Sequence, residues 1–178
     1  MIDQSNQALA VITKRHPDFR PKVAVVLGSG LGGLAAHLDA APPIPYDALP
    51  GFPKPGVSGH QGQLILASAG DTPVALLEGR AHLYEDGRAD AMAVAVRTMA
   101  GLGCEALVLT NAAGGLDPDM EPGSVMLLTD HLNFTGQSPL FGLPGDDRFV
   151  DMTQAYDLGL RHRLLAVAAE VDLPLHQG

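Results

Sequence analysis

The feature that most constrains the fold is a continuous apolar run, Val23-Ala24-Val25-Val26-Leu27, that ends directly at Gly28. Five consecutive apolar residues rich in valine are typical of a strand that is buried on both faces, as in the sheets of α/β proteins. A second run of this kind, 106–110, follows a stretch with helical apolar periodicity at 89–102. Strands that alternate with helices predict an α/β layer structure.

The apolar segments 64–69 and 74–77 flank Gly70-Asp71-Thr72, which is the signature of two adjacent strands joined by a tight turn. Neighbouring antiparallel strands within an α/β fold predict a mixed central sheet flanked by helices, rather than a wholly parallel sheet. The proline-rich segment 42–55 is predicted to be a loop or an extended connection. The remaining predicted elements are helices at 2–14, 30–38 and 158–171, a strand at 125–128 and a loop at 135–151.

Length and composition narrow the class of protein. The 178 residues, 46% hydrophobic and 17% charged, suit one globular domain that covers residues 1–178. A net charge of -9 with only 11 Lys and Arg residues argues against a nucleic-acid surface. Cys104 is the single cysteine, so no internal disulfide is possible, and a buried, unreactive thiol is expected. No apolar stretch is long enough to cross a membrane, and a soluble cytoplasmic protein is expected.

The glycine-rich segment 28–33 leaves the first predicted strand and enters a predicted helix. Its backbone N–H groups and the Ser29 hydroxyl can converge on an anion. The same glycines also satisfy a dinucleotide-binding pattern, which requires an acidic residue about 20 positions later at the end of a second strand. Asp47 has the right spacing but lies among prolines, so an anion site or a simple tight turn is favoured over a nicotinamide site.

Two histidine-containing clusters adjoin predicted strands. His60 lies on a glycine-flanked turn, where it could donate to a phosphate or simply be a surface residue. In the segment 78–85, Arg80, His82 and Tyr84 alternate and would share one face if the backbone stays extended. An arginine fork suits bidentate phosphate binding, and a tyrosine can pack against a sugar. The alternative is a solvated ladder of side chains at a strand end.

The predicted strand 106–110 runs directly into small residues, Asn111-Ala112-Ala113-Gly114-Gly115. Small side chains leave room for a flat ligand over exposed backbone, although a plain strand-to-turn transition has the same pattern. Ligands of open α/β sheets lie outside the carboxyl ends of strands, where this segment and the Ser29 loop are both predicted to lie. Asp130-His131 has no further ligands at metal-binding spacing, so no metal site is predicted.

These segments, taken in order and with their spacing, resemble the trimeric-type purine nucleoside phosphorylases. The resemblance runs from about Val23 to Gly178, and the serine at position 29 together with the Asn-Ala-Ala-Gly-Gly stretch favours this branch over the methylthioadenosine phosphorylases. The motifs that carry it are segments 28–32, 59–62, 79–85, 110–115 and 130–133.

The resemblance implies a role for each matching residue. His82 and Asn111 correspond to catalytic positions, and Glu85 to a partner that supports His82. The implied phosphate contacts are Ser29, His60, Arg80, His82 and the backbone of Ala112. The implied nucleoside contacts are Tyr84 at the ribose, Asn111, Ala112, Ala113 and Gly114 at the purine, and Phe149 at the sugar pocket of a neighbouring subunit.

The implied reaction is phosphorolysis of inosine, guanosine or their deoxy forms to a free purine and (deoxy)ribose 1-phosphate. The resemblance further implies a homotrimer that needs no metal or organic cofactor, with inorganic phosphate as co-substrate. The family's base-recognising residues fall beyond the position of Gly178, so the domain is expected to be C-terminally incomplete relative to the family. An inactive phosphorylase-like fragment or binding module is therefore the alternative, and a dinucleotide-binding oxidoreductase is a more distant one.

Overall fold

A computed structural model describes residues 2–28, 30–54 and 61–178. The chain divides into two compact units, Met1–Ala112 and Ala113–Gly178. The single domain expected from the sequence stays a prediction. The α-helices are α1 Ile2–Arg15, α2 Leu83–Asp86, α3 Ala93–Gly101 and α4 Leu158–Glu170. The strands are β1 Val23–Leu27, β2 Asp39–Ala40, β3 Ile44–Pro45, β4 Gln63–Ala69, β5 Thr72–Glu78, β6 Ala106–Leu109, β7 Val125–Leu127 and β8 Leu175–Gln177.

The first unit is built on a mixed six-stranded sheet, which confirms the predicted fold class. Four strands follow in the order β4-β5-β1-β6, and the short strands β2 and β3 both pair with β4. Strand β1 lies parallel to both β5 and β6, whereas β4 and β5 form the predicted antiparallel hairpin. Gly70 turns this hairpin with a φ of 57°, a conformation that suits glycine.

Each face of the sheet buries alternate residues of the strands, as the two-residue period of a strand requires. On one face Leu64, Leu66 and Leu77 pack with Ile12 of α1 and Met99 of α3 in the larger core. The opposite face has a smaller apolar cluster, formed by Leu27, Ile65, Ala67, Val74 and Leu76. The central strands are therefore apolar on both sides, which explains the continuous runs in the sequence.

Three elements differ from their predicted form. The helix predicted at 30–38 is a six-residue 3-10 helix, Gly32–His37, and its two leading glycines disfavour a regular α-helix. The proline-rich connection includes β3 and a second 3-10 helix, Tyr46–Ala48. Helix α3 begins at Ala93 rather than at residue 89, because the preceding residues form turns around the Arg88–Asp90 ion pair.

The second unit has a parallel strand pair, β7 with β8, and helix α4. Residues 135–151 contain no helix or strand, in agreement with the predicted loop. The strand Leu175–Gln177 was not predicted, because three residues are too few for a two-residue period to stand out. The part of the chain that the structure describes contains no helix long and apolar enough to cross a membrane.

Candidate active site

The carboxyl ends of three parallel strands meet at one edge of the first unit's sheet. Gly28 follows β1, Gly79 follows β5 and Thr110 follows β6. The antiparallel strand β4 begins at this edge, where Gln63 lies opposite Glu78. Segments that are distant in sequence are thereby gathered at the position where α/β sheets bind their ligands.

Thr110 joins the ends of β1 and β6. Its Oγ1 accepts a hydrogen bond from the Gly28 N–H at 2.7 Å and donates to the Val26 carbonyl at 3.0 Å. The contact is so close that a Cβ at position 28 would lie 2.7 Å from the Thr110 carbonyl oxygen. Only glycine fits at the start of the predicted anion-binding loop without a backbone shift.

Arg80 crosses this edge from the end of β5. Gly79 precedes it with a φ of 136°, which glycine adopts without strain and which turns the chain out of the strand. The Arg80 Nη1 donates to the Thr110 carbonyl at 2.6 Å, and its Nε donates to His82 Nε2 at 3.3 Å. Within the described residues, no carboxylate forms an ion pair with this guanidinium. A fixed positive charge is therefore held at the strand ends.

Glu85 fixes the orientation of His82. Its Oε1 accepts the His82 backbone N–H at 2.8 Å and lies 2.6 Å from His82 Nδ1. Because the arginine Nε can only donate, His82 Nε2 is the acceptor in the contact with Arg80. In this arrangement Nδ1 is the protonated ring nitrogen and donates a hydrogen bond to Glu85. This network of Arg80, His82 and Glu85 leaves the Nε2 edge of the ring facing the arginine.

The backbone does not stay extended through Tyr84, which was the condition for Arg80, His82 and Tyr84 to share one face. Helix α2 begins at Leu83, because Glu85 accepts the N–H of His82 as in a capping box, and Gly87 ends the helix with a φ of 72°. Tyr84 nevertheless stays with His82, since the two rings stack with their centroids 4.9 Å apart. The tyrosine is 76% exposed and presents its other face to solvent.

The remaining predicted contacts fall into three groups. Asn111 and Ala112 follow Thr110 in the first unit and are exposed. Ala113, Gly114 and Phe149 belong to the second unit, and their roles remain predictions. Ser29 and His60 lie outside the described residues.

Thr110, Tyr46 and Glu78 also contribute to this edge, and sequence reasoning gave none of them a role. The only signal for Thr110 was its place at the end of an apolar run. Tyr46 lay within a proline-rich segment, and Glu78 at a strand end had no visible partner. Their contacts depend on strand register, which the sequence pattern does not specify.

Other candidate features lie elsewhere. Asp47, the acidic residue of the dinucleotide alternative, is in a 3-10 helix rather than at a strand end. Cys104 is half-buried, and burial raises the pKa of its thiol, which agrees with an unreactive cysteine. In the described residues, no group of three His, Cys, Asp or Glu side chains is placed to hold a metal. A cleft of about 330 Å³ beside Lys54, Ala81 and Arg88 is lined by none of the predicted site residues that the structure describes.

The sheet and the cationic side chain at its edge define an α/β protein with a candidate anion site, and comparison with known proteins identifies the family. The model of the phosphorylase superfamily matches residues 22–178, so the chain belongs to this superfamily. The chain is 39% identical to purine nucleoside phosphorylase 1 of Bacillus subtilis, with 100% of this chain and 66% of the relative covered. It is 44% identical to the purine nucleoside phosphorylase of Mus musculus, with 84% and 54% covered.

Solved structures give the same result. The purine nucleoside phosphorylase of Schistosoma mansoni in complex with adenosine superposes with a TM-score of 0.89 at 33% identity. That match covers 99% of this chain and 64% of the solved chain. The chain thus spans between about half and two thirds of the length of the curated relatives cited above.

Proposed function

We propose that this chain is a purine nucleoside phosphorylase that cleaves purine (deoxy)ribonucleosides with inorganic phosphate, and that the phosphate binds at the sheet edge described above. The observation that carries the proposal is the guanidinium of Arg80, held at the strand ends by the Thr110 carbonyl beside His82. A cation fixed among strand ends suits an anionic co-substrate. The relatives named above, all purine nucleoside phosphorylases, support the choice of reaction.

Phosphate would accept hydrogen bonds from several groups at this edge. Arg80 would supply charge and the planar fork that matches two phosphate oxygens. The Ala112 N–H, which makes no hydrogen bond within the described residues, would add a backbone donor. Ser29 and His60, taken from the sequence alone, would complete the set of donors.

Phosphorolysis needs a precisely placed anion because charge separates in the transition state. A phosphate oxygen forms a bond to the anomeric carbon as the bond to the purine nitrogen breaks, and the bonding electrons leave with the purine. The sugar then carries positive charge, which the bound phosphate stabilises more strongly than it stabilises the ground state. We propose that Tyr84 packs against the ribose and that Asn111, Ala112, Ala113 and Gly114 line the purine site.

The direct test is to incubate the chain with inosine and to follow hypoxanthine release with and without inorganic phosphate. Release that requires phosphate is the expected result. A folded chain that releases no hypoxanthine with phosphate present would contradict the proposal. It would favour an inactive phosphorylase-like binding module, whose phosphate affinity can be measured by calorimetry. No metal or organic cofactor is added, since inorganic phosphate is proposed to be the only co-substrate.

Replacing Glu85 with alanine is expected to lower kcat/KM for phosphate roughly tenfold. The variant removes the two hydrogen bonds between His82 and Glu85, so the ring is held less firmly against the arginine. Glu85→Gln keeps a side-chain oxygen that can accept the His82 backbone N–H but loses the charge, so it should have a smaller effect. Steady-state kinetics with varied phosphate measure both variants. An unchanged kcat/KM in the alanine variant would show that His82 needs no support from Glu85.

The proposed assembly is a cytoplasmic homotrimer in which Phe149 reaches the sugar pocket of a neighbouring subunit. Phe149 is 74% exposed, as a residue that serves another subunit would be. Phe149→Ala is therefore expected to raise the nucleoside KM severalfold, about the effect of losing one aromatic contact, and to leave the phosphate KM unchanged. Sedimentation velocity measures the oligomeric state. A monomer whose nucleoside KM does not respond to this substitution would rule out the proposed contact.

A further inference from the structure

Tyr46 bridges the two segments that lead into the proposed phosphate site. Its backbone N–H donates to the Gly62 carbonyl at 2.7 Å, and its hydroxyl donates to the Gly79 carbonyl at 2.9 Å. Gly62 begins the approach to β4, and Gly79 immediately precedes Arg80. One residue from the proline-rich connection therefore holds both segments at the sheet edge.

Further polar contacts reinforce this bridge. The Gly62 N–H donates to the Glu78 carbonyl at 2.8 Å. The Gln63 side-chain amide donates to Glu78 Oε2 at 2.6 Å and to Gln61 Oε1 at 2.7 Å. Glu78 is 5% exposed, so a carboxylate with so little access to water depends on such a partner. Two strand ends are thereby tied together by side chains as well as by the ladder.

The Tyr46 hydroxyl is suited to a fixed structural bond. The ring is buried and packs edge-on against Phe52, with the centroids 5.1 Å apart. Burial raises the pKa of the tyrosine above its ordinary value, and the nearby Glu78 charge raises it further. The hydroxyl therefore remains protonated and donates throughout the physiological range.

Gly79 is the position where this bond matters for function. Its φ of 136° belongs to a region that glycine explores easily. The backbone dihedral angles at Gly79, immediately before Arg80, are therefore less restricted than those of other residues. The Tyr46 hydroxyl restrains the Gly79 carbonyl, and the guanidinium end of Arg80 is anchored by the Thr110 carbonyl. Without the first restraint, Arg80 is held only through the contacts of its guanidinium with Thr110 and His82, and the phosphate must supply more of the ordering.

We infer that Tyr46 is a positioning residue for phosphate, acting through Gly79 to hold Arg80 in its anion-binding geometry. This inference rests on the proposed function, because it assigns Tyr46 to the same site. Tyr46 is buried, and its proposed effect on phosphate passes through Gly79 and Arg80 rather than through contact with the substrate. Its contribution belongs to phosphate affinity rather than to nucleoside binding.

The test compares Tyr46→Phe with the unmodified chain, using inorganic phosphate in calorimetry and varied phosphate or inosine in kinetics. The variant keeps the ring and the backbone bond to Gly62 and deletes only the bond to Gly79. We expect the phosphate Kd and KM to rise about 3- to 10-fold, which corresponds to the net contribution of one hydrogen bond. The KM for inosine should stay within about twofold.

Phe52→Leu is the matched control, since it disturbs the same aromatic pair and leaves the hydroxyl in place. It should lower the melting temperature without a selective loss of phosphate affinity. Gln63→Ala, which cuts the link between Gln61 and Glu78, should weaken phosphate binding in the same direction as Tyr46→Phe and serves if that variant does not fold.

Two outcomes overturn the inference. One is a phosphate Kd that neither Tyr46→Phe nor Gln63→Ala changes, and the other is an equal loss in Phe52→Leu. The proposed function fails separately, when the unmodified chain itself neither binds phosphate nor releases hypoxanthine.

Discussion

Arg80→Ala is expected to raise the KM for phosphate about 10- to 150-fold. A hydrogen bond to a charged group contributes about 1.5–3 kcal/mol, which corresponds to that ratio. The substitution also removes the donors to the Thr110 carbonyl and to His82, so the remaining donors lose their fixed arrangement. The measurement is initial-rate kinetics with phosphate varied at saturating inosine. The phosphate KM of Arg80→Lys should lie between those of the unmodified chain and of Arg80→Ala, because an ammonium keeps the charge and loses the planar fork.

Arg88→Ala supplies the matched control. This arginine is exposed and is paired with Asp90 at 3.1 Å, away from the strand ends. Its removal is expected to leave the phosphate KM within about twofold, as is usual for an exposed ion pair. If both alanine variants raise the phosphate KM equally, net charge rather than the position of Arg80 determines phosphate binding.

Gly28→Ala is expected to lower both the melting temperature and the phosphate affinity. The new Cβ would lie 2.7 Å from the Thr110 carbonyl oxygen and 3.0 Å from the Asn111 Cα, and these backbone atoms cannot rotate away. Overpacking of this kind costs about 1–3 kcal/mol. In a chain of this size the melting temperature should fall by about 3–10 °C. Circular dichroism measures the melting, and calorimetry with inorganic phosphate measures the binding.

The control is Gly33→Ala in the same glycine-rich segment. A Cβ at position 33 meets nothing within 4 Å, so the added methyl group should be tolerated. Similar losses in both variants would indicate a general intolerance of this loop to side chains. A loss confined to position 28 is the expected result, and it would locate the effect at the contact with Thr110.

The sequence predicted the sheet well because its central strands are apolar on both faces. It could not predict the contacts between Gly28 and Thr110, which lie 82 residues apart and depend on the register of β1 against β6. The bond from Arg80 to Thr110 was hidden for the same reason. Periodicity identifies elements, whereas a binding site is defined by how the ends of those elements align.

The short helix at Tyr84 was not predicted, because the local sequence signal for it is unusual. Capping boxes are ordinarily recognised by serine or threonine at the N-cap, whereas here His82 occupies that position. Gly87, which ends α2 in the left-handed conformation, was the clearer indication of a short helix. The stacking of Tyr84 on His82 could not be predicted without knowing that this helical turn forms.

The parallel pairing of β1 with β5 and β6 also determines when the site can exist during folding. The β4–β5 hairpin is local and can form early, whereas each parallel pair must close a long loop and forms slowly. An intermediate with only the hairpin has no Thr110 carbonyl to hold Arg80, and it therefore lacks the proposed phosphate site. We expect phosphate, bound as proposed, to stabilise only the assembled sheet by mass action, and therefore to favour the last step of folding and leave the first unaffected.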